Sequence, residues 1–247
     1  MIYGGYMNKE REKQILTEIL RTKKVNVKEL AEKLYASEPS IRRDLINLEK
    51  QGFVKRVHGG AILEENGVPV SKIPFVIREL EQSDAKIIIA EKAAKLVNDG
   101  DCIFLDASSS AYNIVPFLAS KVDITVITNG IKAASKICEY GIKTICTGGE
   151  LIASCLSMVK DTSYTIIDSF NADICFFSCR GLGYDGVLSD ISFEEDTVRQ
   201  HMIKRSKKSY LLCASEKFGK TYYHTLARVS DITGIISEKP LPEFKDQ

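Results

Sequence analysis

The amino-acid sequence predicts an α/β domain with a mostly parallel sheet, preceded by a small winged helix-turn-helix domain. Beyond residue 84, continuous apolar runs of strand length alternate with segments of helical length, the pattern of a buried parallel sheet covered by helices. Residues 8–57 differ: short helical patterns are followed by one alternating basic run. Charge divides the chain in the same way. Residues 1–60 hold 13 Lys+Arg against 8 Asp+Glu, which leaves 21 against 25 for residues 61–247. A basic module thus precedes a mildly acidic body, and the asymmetry points to a polyanionic partner for the module.

Composition removes other classes. The 247 residues are 44% hydrophobic and 27% charged, the balance of a globular chain rather than a disordered or collagen-like one. No run approaches the roughly 18 consecutive apolar residues of a membrane span. Residues 1–12 lack the apolar h-region of a secretory leader, so a cytoplasmic protein with no membrane partner is expected. The 7 cysteines form no C-x-x-C pair and only 3 histidines are present, so reduced core thiols are expected, with no metal and no cofactor.

Residues 1–7 carry no periodicity and read as an unstructured leader, with Met7 as an alternative start. The winged helix-turn-helix domain is placed at 7–63. Its first helix spans Asn8 to Thr22, with Ile15, Leu16, Ile19 and Leu20 on one stripe. A second follows Asn26, a capping residue with Glu29 as reciprocal partner, and turns Val27, Leu30, Ala31 and Leu34 inward. After the turn Tyr35-Ala36, Ser37 caps a third helix with Pro39 in its first turn.

At 100° per residue Ile41, Leu45 and Leu48 of that third helix share the buried side. Arg43 points away from it, flanked by Pro39, Ser40, Asn47 and Lys50, with Arg42 at the margin. Such a helix suits a DNA major groove: Arg43 and Asn47 have donors for base edges, Ser40 and Lys50 suit phosphates or flanking bases. Phe53 to Val57 alternates like a strand and His58-Gly59-Gly60 permits a reversal, which makes a basic wing of Lys55, Arg56 and His58. The candidate DNA contacts are therefore Ser37, Pro39, Ser40, Arg42, Arg43, Asn47, Lys50, Lys55, Arg56 and His58.

Between Ile62 and Pro74 periodicity lapses, and 64–75 reads as a linker to a domain over 76–247. There the expected helices are Asp84 to Asn98, Ala111 to Leu118, Ile131 to Tyr140, Ser163 to Phe170 and Phe193 to Lys207. The strands are Cys102 to Leu105, Ile124 to Ile127, Thr144 to Cys146, Ile174 to Phe177, Tyr210 to Leu212 and Gly234 to Ile236. Ligands of such folds sit beyond the carboxyl ends of the strands. These ends read Asp106-Ala107-Ser108-Ser109-Ser110, Thr128-Asn129-Gly130, Thr147-Gly148-Gly149-Glu150 and Ser215-Glu216-Lys217. Serine hydroxyls and backbone N–H groups suit a phosphate, Lys217 offers a positive charge, and Asp106 and Asn129 suit sugar hydroxyls. Arg180 and Lys204 read as solvated cations that could reach an anion.

The run Ser37-Glu38-Pro39-Ser40-Ile41-Arg42-Arg43-Asp44-Leu45, with Leu48-Glu49, Gly52 and Arg56-Val57-His58-Gly59-Gly60-Ala61, resembles the DeoR/GlpR family of bacterial transcription regulators. Ser40 stands where the family usually has Thr. The resemblance continues through Asp106 and Ser109-Ser110 (Asp-x-Gly-Thr-Thr in the family), Thr128-Asn129, Gly148-Gly149 and Lys217-Phe218-Gly219. It implies a sensor domain similar to ribose-phosphate isomerases and CoA transferases, which responds to a phosphorylated sugar. The implied effector set is Asp106, Ser108, Ser109, Ser110, Thr128, Asn129, Gly148, Gly149, Glu195, Arg199 and Lys217. The chain departs from the family at Ser108 and Lys160, each for a glycine, at Arg199-Gln200 for Lys-Arg, and at Ala214 for Asp.

The expected function is a transcriptional regulator, a repressor of carbohydrate genes that binds operator DNA as a homodimer or higher homo-oligomer. The alternative is a sugar-phosphate isomerase or transferase with a nucleic-acid-binding appendage, for which Asp106, Glu150 and Asp185 are acid/base candidates outside any convincing constellation.

Overall fold

A computed structural model describes residues 11–12, 14–19, 22–63, 75–80 and 83–244. It divides into two units, Met1–Glu81 and Gln82–Gln247. Leu20, the 1–7 leader and most of the 64–75 linker lie outside the described residues.

In the first unit, helix α1 is described at residues 11–12 and 14–19, α2 is Val27–Lys33 and α3 is Glu38–Lys50. Ile15, Leu16 and Ile19 pack with Leu30, Ile41, Leu45 and Leu48 into one apolar core, as the helical spacing requires. Ser37 accepts from Ser40 N and Pro39 occupies the first turn of α3, so the third helix begins where its cap predicts. Asn26 accepts from Lys28 N at 2.8 Å.

The wing is β2 (Val54–Val57) and β3 (Gly60–Leu63), joined through His58 and Gly59, the latter at φ +76°. A strand the sequence did not announce, β1 (Lys24–Asn26), pairs antiparallel with β3. Its three residues are too few for a periodicity. Their pairing explains Gly60: a Cβ there would lie 1.9 Å from Val25 O, closer than any side chain can come. The unit continues to α4 (Phe75–Leu80).

Among the described residues, the second unit holds a six-stranded sheet, parallel at every pairing, in the order β14 (Gly234–Ile236), β12 (Ser206–Leu212), β9 (Ala172–Phe177), β4 (Cys102–Leu105), β5 (Thr125–Thr128), β6 (Lys143–Cys146). Side chains alternate between the faces. Ile103 and Leu105 join a core with residues of α5 (Ser83–Ala94), α6 (Ser109–Tyr112), α7 (Val115–Leu118) and α8 (Ile131–Glu139). Phe104, Cys175 and Phe177 join another with Ile167 of α9 (Asp161–Asp168) and Val198 and Met202 of α10 (Phe193–Lys204). Burial on both faces is why these strands read as unbroken apolar runs.

The largest differences from the expected boundaries concern three helices. The helix expected over Ala111 to Leu118 is two single turns, because Pro116 has no N–H to continue α6. The helix expected to Asn98 ends at Ala94, and the one expected to Lys207 yields at Lys204 to a longer β12. Two antiparallel additions had no apolar run to announce them: the hairpin β7 (Glu150–Ile152) with β8 (Ser157–Val159), and the sheet of β10 (Gly181–Leu182), β11 (Val187–Asp190) and β13 (His224–Arg228). All seven cysteines are free thiols, and Cys155, Cys175, Cys179 and Cys213 are buried.

Candidate functional site

On α3 the expected outward residues separate into two kinds. Arg43 and Lys50 are exposed and make no hydrogen bond or ion pair among the described residues. Arg42 is exposed but paired with Glu38 at 3.1 Å, one turn away. Asn47 differs from expectation: it is half-buried and donates through Nδ2 to Glu12 Oε1 at 3.1 Å, so it is turned towards α1 instead of standing free. Ser40 and Ser37 share a hydroxyl contact of 2.9 Å at the cap, beside the exposed Pro39.

In the wing, Lys55 and His58 are exposed, while Arg56 is tied to Glu49 through its backbone N–H at 2.8 Å and its guanidinium at 3.8 Å. Two residues stand outside the expected set of contacts. Tyr35, 98% exposed and at φ +50°, projects from the turn that precedes α3. Asp44, fully buried, accepts from Arg11 Nε and from Arg11 Nη2, the latter at 3.2 Å, which fastens α1 to α3. A carboxylate among Ile41, Leu45 and Leu48 was the available signal: a buried acid needs a partner.

In the second unit the ends of β4, β5, β9 and β12 bring most of the expected effector residues to one edge of the sheet. Asp106, directly beyond β4, accepts from Ser108 N at 3.1 Å and from Ser178 N at 3.2 Å. Ser108 caps α6 by accepting from Ala111 N. It does so in extended conformation (φ −76°), so the serine in the glycine position meets no left-handed requirement. Ser109 and Ser110 are buried behind it. Thr128 Oγ1 accepts from Gly130 N at 3.0 Å, and Asn129 Nδ2 donates to Ser157 Oγ at 2.9 Å and Met158 O at 3.1 Å. Lys217 Nζ donates to Ser178 Oγ at 2.8 Å, which makes Ser178, overlooked although it follows a strand end, the link between Lys217 and Asp106.

Gly148 and Gly149 serve the chain itself. Both have positive φ, and a Cβ on Gly149 would lie 2.2 Å from Val159 O, so the β6–β7 turn needs glycine with or without a ligand. Lys160, two elements on, keeps a glycine-like conformation (φ +74°, ψ −169°) although it is a lysine, and pairs with Glu150 at 2.6 Å. Such a backbone costs about 1–3 kcal/mol.

Arg199 is the centre of the edge. Its Nε donates to Asp106 Oδ2, and its Nη1 to Asp190 Oδ2 and Asp196 Oδ1, each at 2.9 Å, while Glu195 Oε1 stands 3.9 Å from Nη2. Arg199 reaches the expected place, but as counter-ion to buried carboxylates rather than as an open anion receptor. Burial alone would lower its pKa; the carboxylates outweigh that and hold it above the ordinary value. Asp196 is pushed up to about 7, chiefly by burial and then by Asp190 and Glu195, against the pull of Arg199.

Three buried acceptor atoms at this edge have no hydrogen-bond partner: Asn129 Oδ1, Glu195 Oε1 and Asp196 Oδ2. Asp190 and Asp196 were absent from the expected set. Asp190 lies on a strand that periodicity could not show; Asp196 sits three residues before Arg199 on α10, a helical pair spacing that could have been read. Of the alternative's acid/base candidates, Asp106 is engaged by Arg199, Glu150 by Lys160, and Asp185 accepts from Val187 N. Gln200 donates to Leu226 O and Ala214 is buried, so neither departure places a charge here.

The chain matches two family models, the DeoR-like helix-turn-helix domain over residues 11–66 and the DeoR C terminal sensor domain over residues 81–239. It is 32% identical over 233 residues to the uncharacterized HTH-type transcriptional regulator FruR of Bacillus subtilis, covering 93% of this chain and 90% of that one. It is 26% identical over 219 residues to the glycerol-3-phosphate regulon repressor of Escherichia coli, covering 88% and 86%. Among solved structures, eIF2B delta from Chaetomium thermophilum has a similar fold, with a TM-score of 0.50 at 16% identity over 67% of this chain and 62% of that one. With both domains matched in order, and a relative at that identity over nearly its whole length, the chain belongs to the DeoR family of helix-turn-helix transcriptional regulators.

Proposed function

We propose that the chain represses carbohydrate-metabolism genes by binding an operator in double-stranded DNA, and that a phosphorylated sugar bound at the carboxyl edge of the parallel sheet changes its operator affinity. The observation that carries the sensing half is the set of vacant buried acceptors, Asn129 Oδ1, Glu195 Oε1 and Asp196 Oδ2. Buried polar atoms are ordinarily paired, and sugar hydroxyls are donors of the required kind. Lys217, and the serines beyond β4, supply the anion's side of the edge. The E. coli relative is named for glycerol 3-phosphate, a small phosphorylated polyol with both features.

For the DNA half, Arg43 and Lys50 on α3, with Lys55 and His58 on the wing, are the exposed residues suited to base edges and phosphates. One winged helix offers few contacts, so operator affinity calls for a homodimer or higher homo-oligomer on paired half-sites. The cytoplasm, where bacterial DNA lies, is its place of action. No helix among the described residues is long and apolar enough to cross a membrane.

The test is a thermal-shift screen of the purified protein against sugar phosphates, with the free sugars as controls, followed by operator gel shifts with and without the responding compound. At about 100 times its dissociation constant a ligand adds about 2.7 kcal/mol of stability, and its effect on operator affinity is expected at about 1–3 kcal/mol. Arg43→Ala should abolish specific retardation while circular dichroism stays unchanged. Retardation equal to wild type removes α3 as the reading helix, and silence across the phosphate panel removes the sensing half.

A further inference from the structure

The edge around Arg199 is rich in negative charge. Asp106, Asp190, Glu195 and Asp196 bring four carboxylates, all buried. Facing them are Arg199, Arg180 at 3.6 Å from Asp190, and Lys217 through Ser178. A phosphate adds roughly 1.5 to 2 further negative charges. An anionic ligand that brought nothing else would leave the site with an uncompensated excess of two to three charges (about 4 carboxylate plus 2 phosphate against 3 cationic), each costly away from water.

Hydrogen bonding makes the same demand from a different direction. Glu195 Oε1 is vacant in a residue only 6% exposed, and its 3.9 Å from Arg199 Nη2 is beyond hydrogen-bond reach. On another element Asn129, 2% exposed, has its amide N–H groups engaged by the β7–β8 hairpin and its Oδ1 vacant. Gly130, the next residue, comes so near Ala107 that a Cβ there would lie 2.9 Å from Ala107 Cα, which sets Asn129 beside the Asp106 loop. A neutral hydroxyl can fill a vacant acceptor but leaves the charge as it was. An ammonium group does both, with three N–H donors and one positive charge.

We propose that the effector of this chain carries a protonated amine that donates to Glu195 Oε1, beside an anionic group that lies towards Lys217. The proposal rests on the reading of this edge as a sugar-phosphate site and specifies it to amino-sugar phosphates.

The experiment compares the 2-amino hexose 6-phosphates with their hydroxyl and N-acetyl counterparts, by thermal shift and titration calorimetry on the full chain at pH 7.5. The amine-bearing phosphate is expected to bind at least about tenfold tighter than either counterpart. In Glu195→Gln that preference should fall to within about twofold, while the wild-type comparison stands without any variant. Equal or tighter binding of the hydroxyl or N-acetyl compound overturns the amine and leaves sugar-phosphate sensing in place. So does a response confined to sugar phosphates that lack an amine, including one in which such a compound binds with uptake of a proton. No response to any phosphorylated sugar takes down the underlying reading as well.

Discussion

Each unit sets an arginine against buried carboxylates, and the two clusters are built to opposite specifications. In the winged helix, Arg11 donates to both oxygens of Asp44, and neither residue appears among the unpartnered atoms. In the sensor domain, Arg199 is surrounded by Asp106, Asp190, Asp196 and Glu195, and two of those carboxylates keep a vacant oxygen. The first cluster is closed and holds helices in place. The second is short of both positive charge and donors, and that shortfall is what the proposed effector would make good.

The largest expected effect tests whether Arg199 holds its carboxylates together. Arg199→Met leaves three hydrogen-bonded carboxylates without their common partner, and should cost the sensor domain about 3–5 kcal/mol in denaturant unfolding. A loss under about 1 kcal/mol would mean that solvent reaches the edge and the cluster is not a buried charge network. Next comes its counterpart: Asp44→Ala should cost about 2–3 kcal/mol, less because Arg11 is 22% exposed and water can take up part of its charge. If the two losses came out in the reverse order, the contrast between closed and open clusters would fail.

Burial of Asp196, with Asp190 and Glu195 beside it, also gives the edge a pH signature. Asp196 has a folded pKa of about 7, above the roughly 3.9 of an unfolded aspartate. The folded state therefore binds the extra proton, and the associated stability is full below about pH 4 and lost as pH rises through about 7. Asp196→Asn should remove that dependence, with a midpoint above wild type at pH 8 and little different at pH 5. A wild-type midpoint that stays flat between pH 5 and pH 8 would count against the burial of Asp196 among its carboxylate neighbours. The smallest effect belongs to the hairpin beside the edge: Lys160→Gly should stabilise the chain by about 1 kcal/mol through relief of its backbone, offset slightly by the loss of the exposed Glu150 pair. Destabilisation would show that the lysine side chain contributes more than its conformation costs.

Much of this architecture was legible because it rests on local rules. Ser37 and Pro39 marked the start of α3, Ile41, Leu45 and Leu48 its buried side, and apolar runs such as Cys102 to Leu105 the strands of the parallel sheet. The ends of the apolar runs also mark Asp106, Asn129 and Lys217. What stayed hidden was non-local. β1, β10 and β11 are too short or too polar to carry a period, so Asp190 could not be assigned to the edge. Asn47 has the right place on the helix wheel for a base contact, yet its amide is directed to Glu12, a partner 35 residues away that a wheel does not include. Arg199 was expected to receive an anion; the anions it meets are the protein's own.

The pairing of β4 with β9 sets Ile103 beside Ile174, so the sheet's central hydrogen bonds span about seventy residues of chain. The winged helix closes far more locally, with β3 joined to β2 by a two-residue loop and to β1 across fewer than forty residues. Loop-closure entropy makes the first arrangement slow and the second fast. On a ribosome the order is fixed further by position, because domains fold in sequence as they emerge. The winged-helix unit is therefore complete while most strands of the parallel sheet are still unmade, and each new molecule passes through an interval in which its first unit is folded and its second is not.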